Sequence, residues 1–315
     1  MLRNIYANFS QQLLSSKTQI RSERIILGIA IASFLIHLAI ILLVDFDIIN
    51  LDKSSVLLAN PIVAIYTPFS FILIYEVYLL IYYLPKSFTT YISKQYEIMT
   101  LIVIRRLFKD LSALPLKTDW FSSKYALQFT YDLASSIILF FLIYLFYIQS
   151  KKEFTEPKLN STQKAAITRF IGIKKIIASF LVPIFLILAI YSLTSWLLNF
   201  MSPDMNAVNS FVNINNIFFE HFFTVLIFAD VLILLFSFYI TDDFHKVIRN
   251  SGFIISTILI RLSFSNTGLI NNLLILCSII FGLLILLIHN KYQKVIAEDI
   301  VKKQLEVHSQ KEVDK

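Results

Sequence analysis

The stretch Thr100-Leu101-Ile102-Val103-Ile104-Arg105 ends an apolar run with an arginine, and Ser256-Thr257-Ile258-Leu259-Ile260-Arg261 repeats the pattern. The first arginine follows Glu76 by 29 residues, and the second follows Asp230 by 31 residues. Both acids also interrupt apolar runs. Charged residues at membrane depth are costly and usually face a bundle interior or a water-filled cavity. If these runs cross a membrane, each acid and its arginine therefore mark a polar centre.

The composition predicts an all-α integral membrane protein. Hydrophobic residues make up 57% of the chain and charged residues only 16%, and the mean hydropathy is +0.71, far from the average of soluble domains. A helix needs roughly 20 apolar residues to cross a bilayer. Six segments meet this requirement: 25–44, 62–84, 125–148, 173–198, 214–240 and 269–288.

Two weaker segments, 97–114 and 252–264, contain the two arginines, and the distribution of basic residues decides whether they cross. If both cross, 21 of the 28 lysines and arginines lie on the cytoplasmic side, three lie outside and four lie within the membrane. If neither crosses, the strongly basic loop after residue 150 lies outside, against the positive-inside rule. We therefore predict about eight crossings in the cell membrane, with both termini cytoplasmic. The net charge of +7 fits contact with anionic lipid and gives no reason to expect nucleic-acid binding.

When the sequence is aligned with itself so that Glu76 matches Asp230, the two arginine stretches also align after a shift of two residues. This indicates an internal repeat. Four crossings in each half is an even number, so the halves are expected to be parallel repeats. This gives five predicted regions: an amphipathic cytoplasmic segment (1–24), a first four-helix unit (25–150), a cytoplasmic linker (151–164), a second four-helix unit (165–289) and a charged cytoplasmic tail (290–315).

Estimated depths along the helices predict which charges meet. Glu76 is expected to pair with Arg105, and Asp230 with Arg261, because each acid and base lie at similar depth at ~1.5 Å per residue. Lys109 is expected to meet Asp132 farther out. Arg106 and Asp110 are spaced to interact along one helix.

His37 is the histidine predicted to lie deep in a helix, where it is a candidate proton relay or a hydrogen-bonded structural residue. The sequence contains no His-x-x-x-His or Cys-x-x-Cys pair and no glycine-rich phosphate loop, so we predict no metal site and no cofactor. The single cysteine, Cys277, excludes an intramolecular disulfide and is expected to pack in the core.

Two explanations of the charge pairs stay open: they fasten helices together, or they line a hydrated path for an ion. The favoured function is a channel or transporter for an ion or small solute, without enzymatic activity. The alternative is a non-transporting membrane subunit that recruits a partner protein through its charged ends. A lipid-phosphate-modifying enzyme is a third possibility, based on the cluster Asp242, Asp243 and His245 at a cytoplasmic helix end.

Overall fold

The computed structural model describes residues 14–49, 61–112, 124–152, 161–200, 207–240, 243–266 and 268–313. Within these ranges the chain forms eight α-helices, one short 3-10 helix at Pro61–Ile65, and no strand. The α-helices are α1 (Ser16–Asp45), α2 (Tyr66–Tyr83), α3 (Phe88–Ser112), α4 (Lys124–Ser150), α5 (Ser161–Phe200), α6 (Ala207–Ile240), α7 (Phe244–Ser263) and α8 (Leu269–Val313).

Five helices in the described ranges are long and apolar enough to cross a membrane, which confirms the prediction of an all-helical, membrane-embedded chain. They lie within α1, α4, α5, α6 and α8, at Ser16–Asp45, Ala126–Ser150, Lys164–Leu188, His221–Ile240 and Leu269–Lys302. The apolar part of α2, Thr67–Tyr83, is shorter. Large apolar side chains cover the outside of the bundle; on α1 alone Ile31 and Ile36 are each 61% exposed. An exposed apolar surface of this kind suits lipid and not water.

The helices α3 and α7 are less apolar because they lie inside the bundle. Tyr91, Tyr96 and Met99 of α3 are fully or almost fully buried. On α7 one face is buried and includes polar residues such as Ser256, whereas Ile255 and Ile258 on the other face are exposed. Small polar side chains are common where helices meet in a bilayer. The two segments that the sequence marks as weakly apolar therefore each bury one face, and this face includes polar residues.

Neighbouring helices along the chain pack against each other from α1 to α4 and again from α5 to α8. The two groups meet where α4 packs on α8, α3 on α7 and α2 on α5. At the junction of α3, α7 and α8, the hydroxyls of Tyr96 and Ser256 are 2.6 Å apart and those of Ser256 and Ser278 are 2.9 Å apart. This hydroxyl cluster fixes the relative positions of three helices at the centre of the bundle.

The helix ends differ from the predicted region boundaries. α1 begins at Ser16, so part of the predicted amphipathic segment 1–24 belongs to the first long helix, and residues 1–13 lie outside the described ranges. α5 begins at Ser161, within the predicted linker. The predicted tail continues α8 without a break to Val313.

A methyl group at Gly282 would overlap the hydroxyl of Tyr96, since the glycine lies directly against this ring. We therefore expect Gly282→Ala to destabilise the protein by about 1–3 kcal/mol, the usual range for overpacking a filled core. The measurement is the unfolding temperature of the purified protein in detergent.

The matched control is Gly172→Ala, where no heavy atom would lie within 4 Å of the added carbon. Tyr96→Phe in the Gly282→Ala background removes the overlapping oxygen and should recover part of the loss. An equal effect of the two alanine substitutions would contradict the packing of α8 on α3.

Candidate functional site in the bundle interior

Glu76 and Arg105 form a buried ion pair between α2 and α3. Their closest atoms, Oε2 of Glu76 and Nη2 of Arg105, are 2.5 Å apart, and the residues are 3% and 7% exposed. Two antiparallel helices joined by a short turn, residues 84–87, bring the residues together. Nε of Arg105 is buried and has no hydrogen-bond acceptor among the described residues. The structure thus brings together the first pair that the sequence predicts.

Asp132 of α4 forms an ion pair with Arg106, which the sequence analysis did not predict. Arg106 donates from Nε to Oδ2 of Asp132 and from Nη2 to Oδ1, the latter at 3.1 Å. Gln128 and Asn272 also donate to Oδ1 of Asp132, at 2.7 and 2.6 Å. The side chain of Lys109 lies outside the described part of the structure. Arg105 and Arg106 face different helices because adjacent positions on a helix point about 100° apart.

The N-terminal end of α8 completes this second site. Arg106 donates to the side-chain oxygens of Asn271, at 2.8 Å, and of Asn272. Asn271 in turn donates to the backbone oxygen of Ser263 at 2.6 Å. The cluster therefore connects α3, α4, α7 and α8. Sequence reasoning assigned Arg106 to Asp110 instead, although two adjacent amides at the start of an apolar helix could have signalled an interhelical hydrogen-bond site.

The predicted pair of Asp230 and Arg261 is wrong. Asp230 is 1% exposed and accepts hydrogen bonds from Tyr91 at 2.8 Å and from Gln95 at 3.3 Å. Arg261 donates to Thr224 at 3.4 Å, six residues before Asp230 on α6 and therefore about 9 Å farther along the axis. The physical reason is that α3 places two neutral donors, four residues apart, on the carboxylate of Asp230.

A small cavity lies next to Asp230, enclosed by α2, α3, α6 and α7. Its volume of about 10 Å³ matches one water molecule. Most of the wall is apolar, and Gln95, Asp230 and Thr257 supply the polar atoms. The remaining lining residues are Leu80, Ile98, Met99, Phe223, Leu226, Ile227 and Ile260. Among the predicted acids, Asp230 is the one that contributes to the wall of this cavity.

Lys174 of α5 is a buried cation close to the turn between α2 and α3. It is 4% exposed, and its Nζ donates to the backbone oxygen of Lys86 at 2.7 Å. The ammonium lies over the rings of Phe88 and Phe170, 4.4 and 4.9 Å from their centroids. Aromatic faces attract cations at such distances.

The histidines occupy two separate places. His37 of α1 is partly buried, with Nδ1 in hydrogen-bond contact with the hydroxyl of Thr67 near the start of α2. At the start of α7, the ring of His245 stacks on that of His289 with centroids 5.2 Å apart, and Nε2 of His289 lies 3.0 Å from Nη1 of Arg249. Sequence reasoning missed this second arrangement, since the two histidines lie 44 residues apart.

No group of three or more His, Cys, Asp or Glu side chains that could hold a metal ion occurs among the residues that the structure describes. The cluster proposed for a lipid-phosphate enzyme is only partly described: Asp242 falls outside the described ranges, and Asp243 forms an ion pair with Lys246 at 3.0 Å.

No protein-family model, curated protein or solved structure matches this chain. The functional argument therefore depends on the geometry of the bundle interior.

Removing one member of the Glu76–Arg105 pair should be far more damaging than removing both. Arg105→Met leaves a buried carboxylate without its partner, and we expect a loss of about 3–5 kcal/mol, the range for breaking buried ion pairs. Glu76→Gln in the same chain removes the remaining charge and should restore most of the stability. Unfolding temperatures of the two single variants and the double variant in detergent measure this coupling.

Lys294→Met is the matched control, because Lys294 and Glu298 form an ion pair whose side chains are 70% and 65% exposed. Pairs of this type contribute about 0–1 kcal/mol. Additive effects of Arg105→Met and Glu76→Gln would show that the pair is not coupled.

Proposed function

We propose that all eight α-helices cross the membrane and that the chain moves an ion or a small solute across it. The length of the two weakly apolar helices supports the crossings. At ~1.5 Å per residue, the 25 residues of α3 reach ~37 Å and the 20 residues of α7 reach ~30 Å, enough for a hydrocarbon core of ~30 Å. The 3-10 helix Pro61–Ile65 extends α2 in the same way.

The contacts between helices support a two-fold relation between the halves. In parallel repeats related by an axis along the membrane normal, equivalent helices near that axis pack on each other. The α3 contact with α7 and the α4 contact with α8 have this form, and the order of contacts from α1 to α4 recurs from α5 to α8. This arrangement supports the repeat that the positions of the acids and arginines indicate.

The observation that best supports transport is that Asp230 is buried beside a water-sized cavity. This cavity lies where α2 and α3 of the first half meet α6 and α7 of the second. Transporters bind substrates and coupling ions near the middle of the bilayer, at the interface between repeats. Ionisable residues in this position are functional candidates in membrane proteins. The Glu76–Arg105 pair and the Arg106 cluster hold the helices around this centre.

A second candidate function, a subunit that recruits a partner protein, is favoured by the length of α8. Its 45 residues exceed the ~20 needed for one crossing, and the part beyond the membrane carries exposed charges at Lys294, Glu298 and Lys302. A partner-binding subunit needs no ion pathway, so a transport assay separates the two candidates.

Labelling of single cysteines tests the eight crossings. In a Cys277→Ala background, cysteine at Lys86 should react with a membrane-impermeant reagent only from the cytoplasmic side, and cysteine at Lys117 only from the outside. Lys117 lies outside the described ranges, but its position after α3 makes it decisive. Cysteine at Lys294 serves as the cytoplasmic control. If positions 86 and 117 label from the same side, α3 does not cross.

Liposomes containing the purified protein test transport. We expect flux of at least one of H⁺, Na⁺, K⁺ or Cl⁻ above that of protein-free vesicles. Leu226→Phe should reduce this flux several-fold, because Leu226 lines the cavity next to Asp230 and the larger ring fills it. Leu232→Phe is the matched control, a position on the same helix that is 44% exposed on the outer surface of the bundle.

Absence of flux for every ion, together with stable co-purification of another protein, would contradict transport and favour the partner-binding function. Equal flux in the two phenylalanine variants would exclude the cavity as part of the path.

A further inference from the structure

No lysine or arginine of the described residues forms an ion pair with Asp230, which distinguishes it from the other deeply buried acids. Glu76 and Asp132 each contact an arginine. In the described part of the chain, no lysine or arginine nitrogen lies within 4.0 Å of Asp230, and its two hydrogen-bond donors, Tyr91 and Gln95, are neutral. An isolated ionised carboxylate in such surroundings is very costly. Binding of a proton or a cation removes that cost.

The charged and titratable groups around Asp230 come from several helices. From α3, Tyr91 contacts it directly, and from α5 the ammonium of Lys174 acts on it without contact. From α7 the neighbouring polar group is the uncharged hydroxyl of Thr257, and from α2 the neighbour across the cavity is Leu80. Glu76, one turn before Leu80 on α2, is occupied by Arg105. A ligand at Asp230 therefore meets one carboxylate and mostly neutral surroundings.

The size and polarity of the cavity favour a proton over a metal ion. Calcium takes six to eight oxygen ligands and magnesium close to ideal octahedral coordination. The wall offers only the side-chain oxygens of Asp230, Gln95 and Thr257. Sodium sites in transporters add carbonyl oxygens from unwound helices, but α3, α6 and α7 continue unbroken past the cavity. A proton needs only one carboxylate oxygen and the water that the cavity has room for.

We propose that Asp230 is the proton-binding residue of this protein, loaded from water in the adjoining cavity. This inference rests on the proposed transport function and names its substrate. In the binding step, an O–H bond forms on the carboxylate while an O–H bond of a hydronium ion breaks, which leaves a neutral water in the cavity. Release of the proton to a water molecule reverses the step. Tyr91 and Gln95 are positioning residues, because their hydrogen bonds orient the carboxylate.

The experiment combines proton flux with spectroscopy on the full-length protein. Liposomes with an internal pH-sensitive dye are given a potassium diffusion potential, and radioactive sodium uptake is measured in parallel. Asp230→Asn is compared with Asp299→Asn, the same chemical change at an exposed position on α8. Infrared spectra of the purified proteins report the carbonyl stretch of a protonated carboxyl. Size-exclusion profiles check folding.

Loss of proton flux and of a pH-dependent carboxyl band in Asp230→Asn, with both kept in Asp299→Asn, would support the proposal. Tyr91→Phe keeps the carboxyl and should move its band to higher frequency, because one hydrogen bond is lost, so the test survives if Asp230→Asn does not fold. Proton flux that is equal in wild type and Asp230→Asn would overturn the proposal and leave transport standing. Sodium uptake that depends on Asp230, with unchanged proton flux, would assign the site to sodium instead.

The infrared spectrum also distinguishes a failure of the proton-binding proposal from a failure of the transport proposal. A pH-dependent carboxyl band that depends on Asp230, in a protein without any ion flux, would support proton binding and reject transport. Carboxyl bands that are the same in wild type and Asp230→Asn at every pH would reject proton binding whether or not ions move.

Discussion

A charge enclosed by helices in a bilayer must be neutralised, and this constraint governs the interior of the molecule. Water cannot solvate such groups, so each needs a partner on another helix. Glu76 has Arg105, and Asp132 has Arg106 with two asparagines and a glutamine. These contacts determine which faces of α3, α4 and α8 point inward. Asp230 is the exception, since its donors are neutral, and for this reason it is the centre of both proposals.

The same constraint explains the distribution of polarity across the helices. The outward faces of the long helices, such as that of α1, are apolar, and the buried polar residues lie on faces that other helices cover. Hydrophobicity alone offers little attraction between helices in lipid, so close packing and hydrogen bonds hold them together. The hydroxyl cluster of Tyr96, Ser256 and Ser278 against Gly282 is of this kind. The bundle thus combines an apolar surface with an apolar core that contains a few hydrogen-bonded polar clusters.

The helical class and the Glu76–Arg105 pair could be predicted from local properties of the sequence. Hydrophobic length is a property of each segment, and consecutive helices joined by a short turn are neighbours. The partners of Asp230 were not predictable in this way, because Tyr91 and Gln95 lie more than 130 residues earlier in the chain. Their contact depends on how the two halves dock. Arg106 likewise contacts Asn271 and Asn272 of α8, in the other half of the chain. The depth estimates compared residues within one half only and so could not predict these contacts.

Because α8 is one continuous helix, a small tilt at one point moves its far end by a larger distance. Two contacts fix the helix to the bundle: Asn290 donates to Gln149 of α4, and Gln293 contacts His245 of α7. From Gln293 to Val313 the helix extends ~30 Å beyond these contacts at ~1.5 Å per residue. A tilt of about 10° at these contacts would move the far end by about 5 Å on this geometry. Small rearrangements among α4, α7 and α8 therefore produce a larger displacement at the C-terminal end of α8.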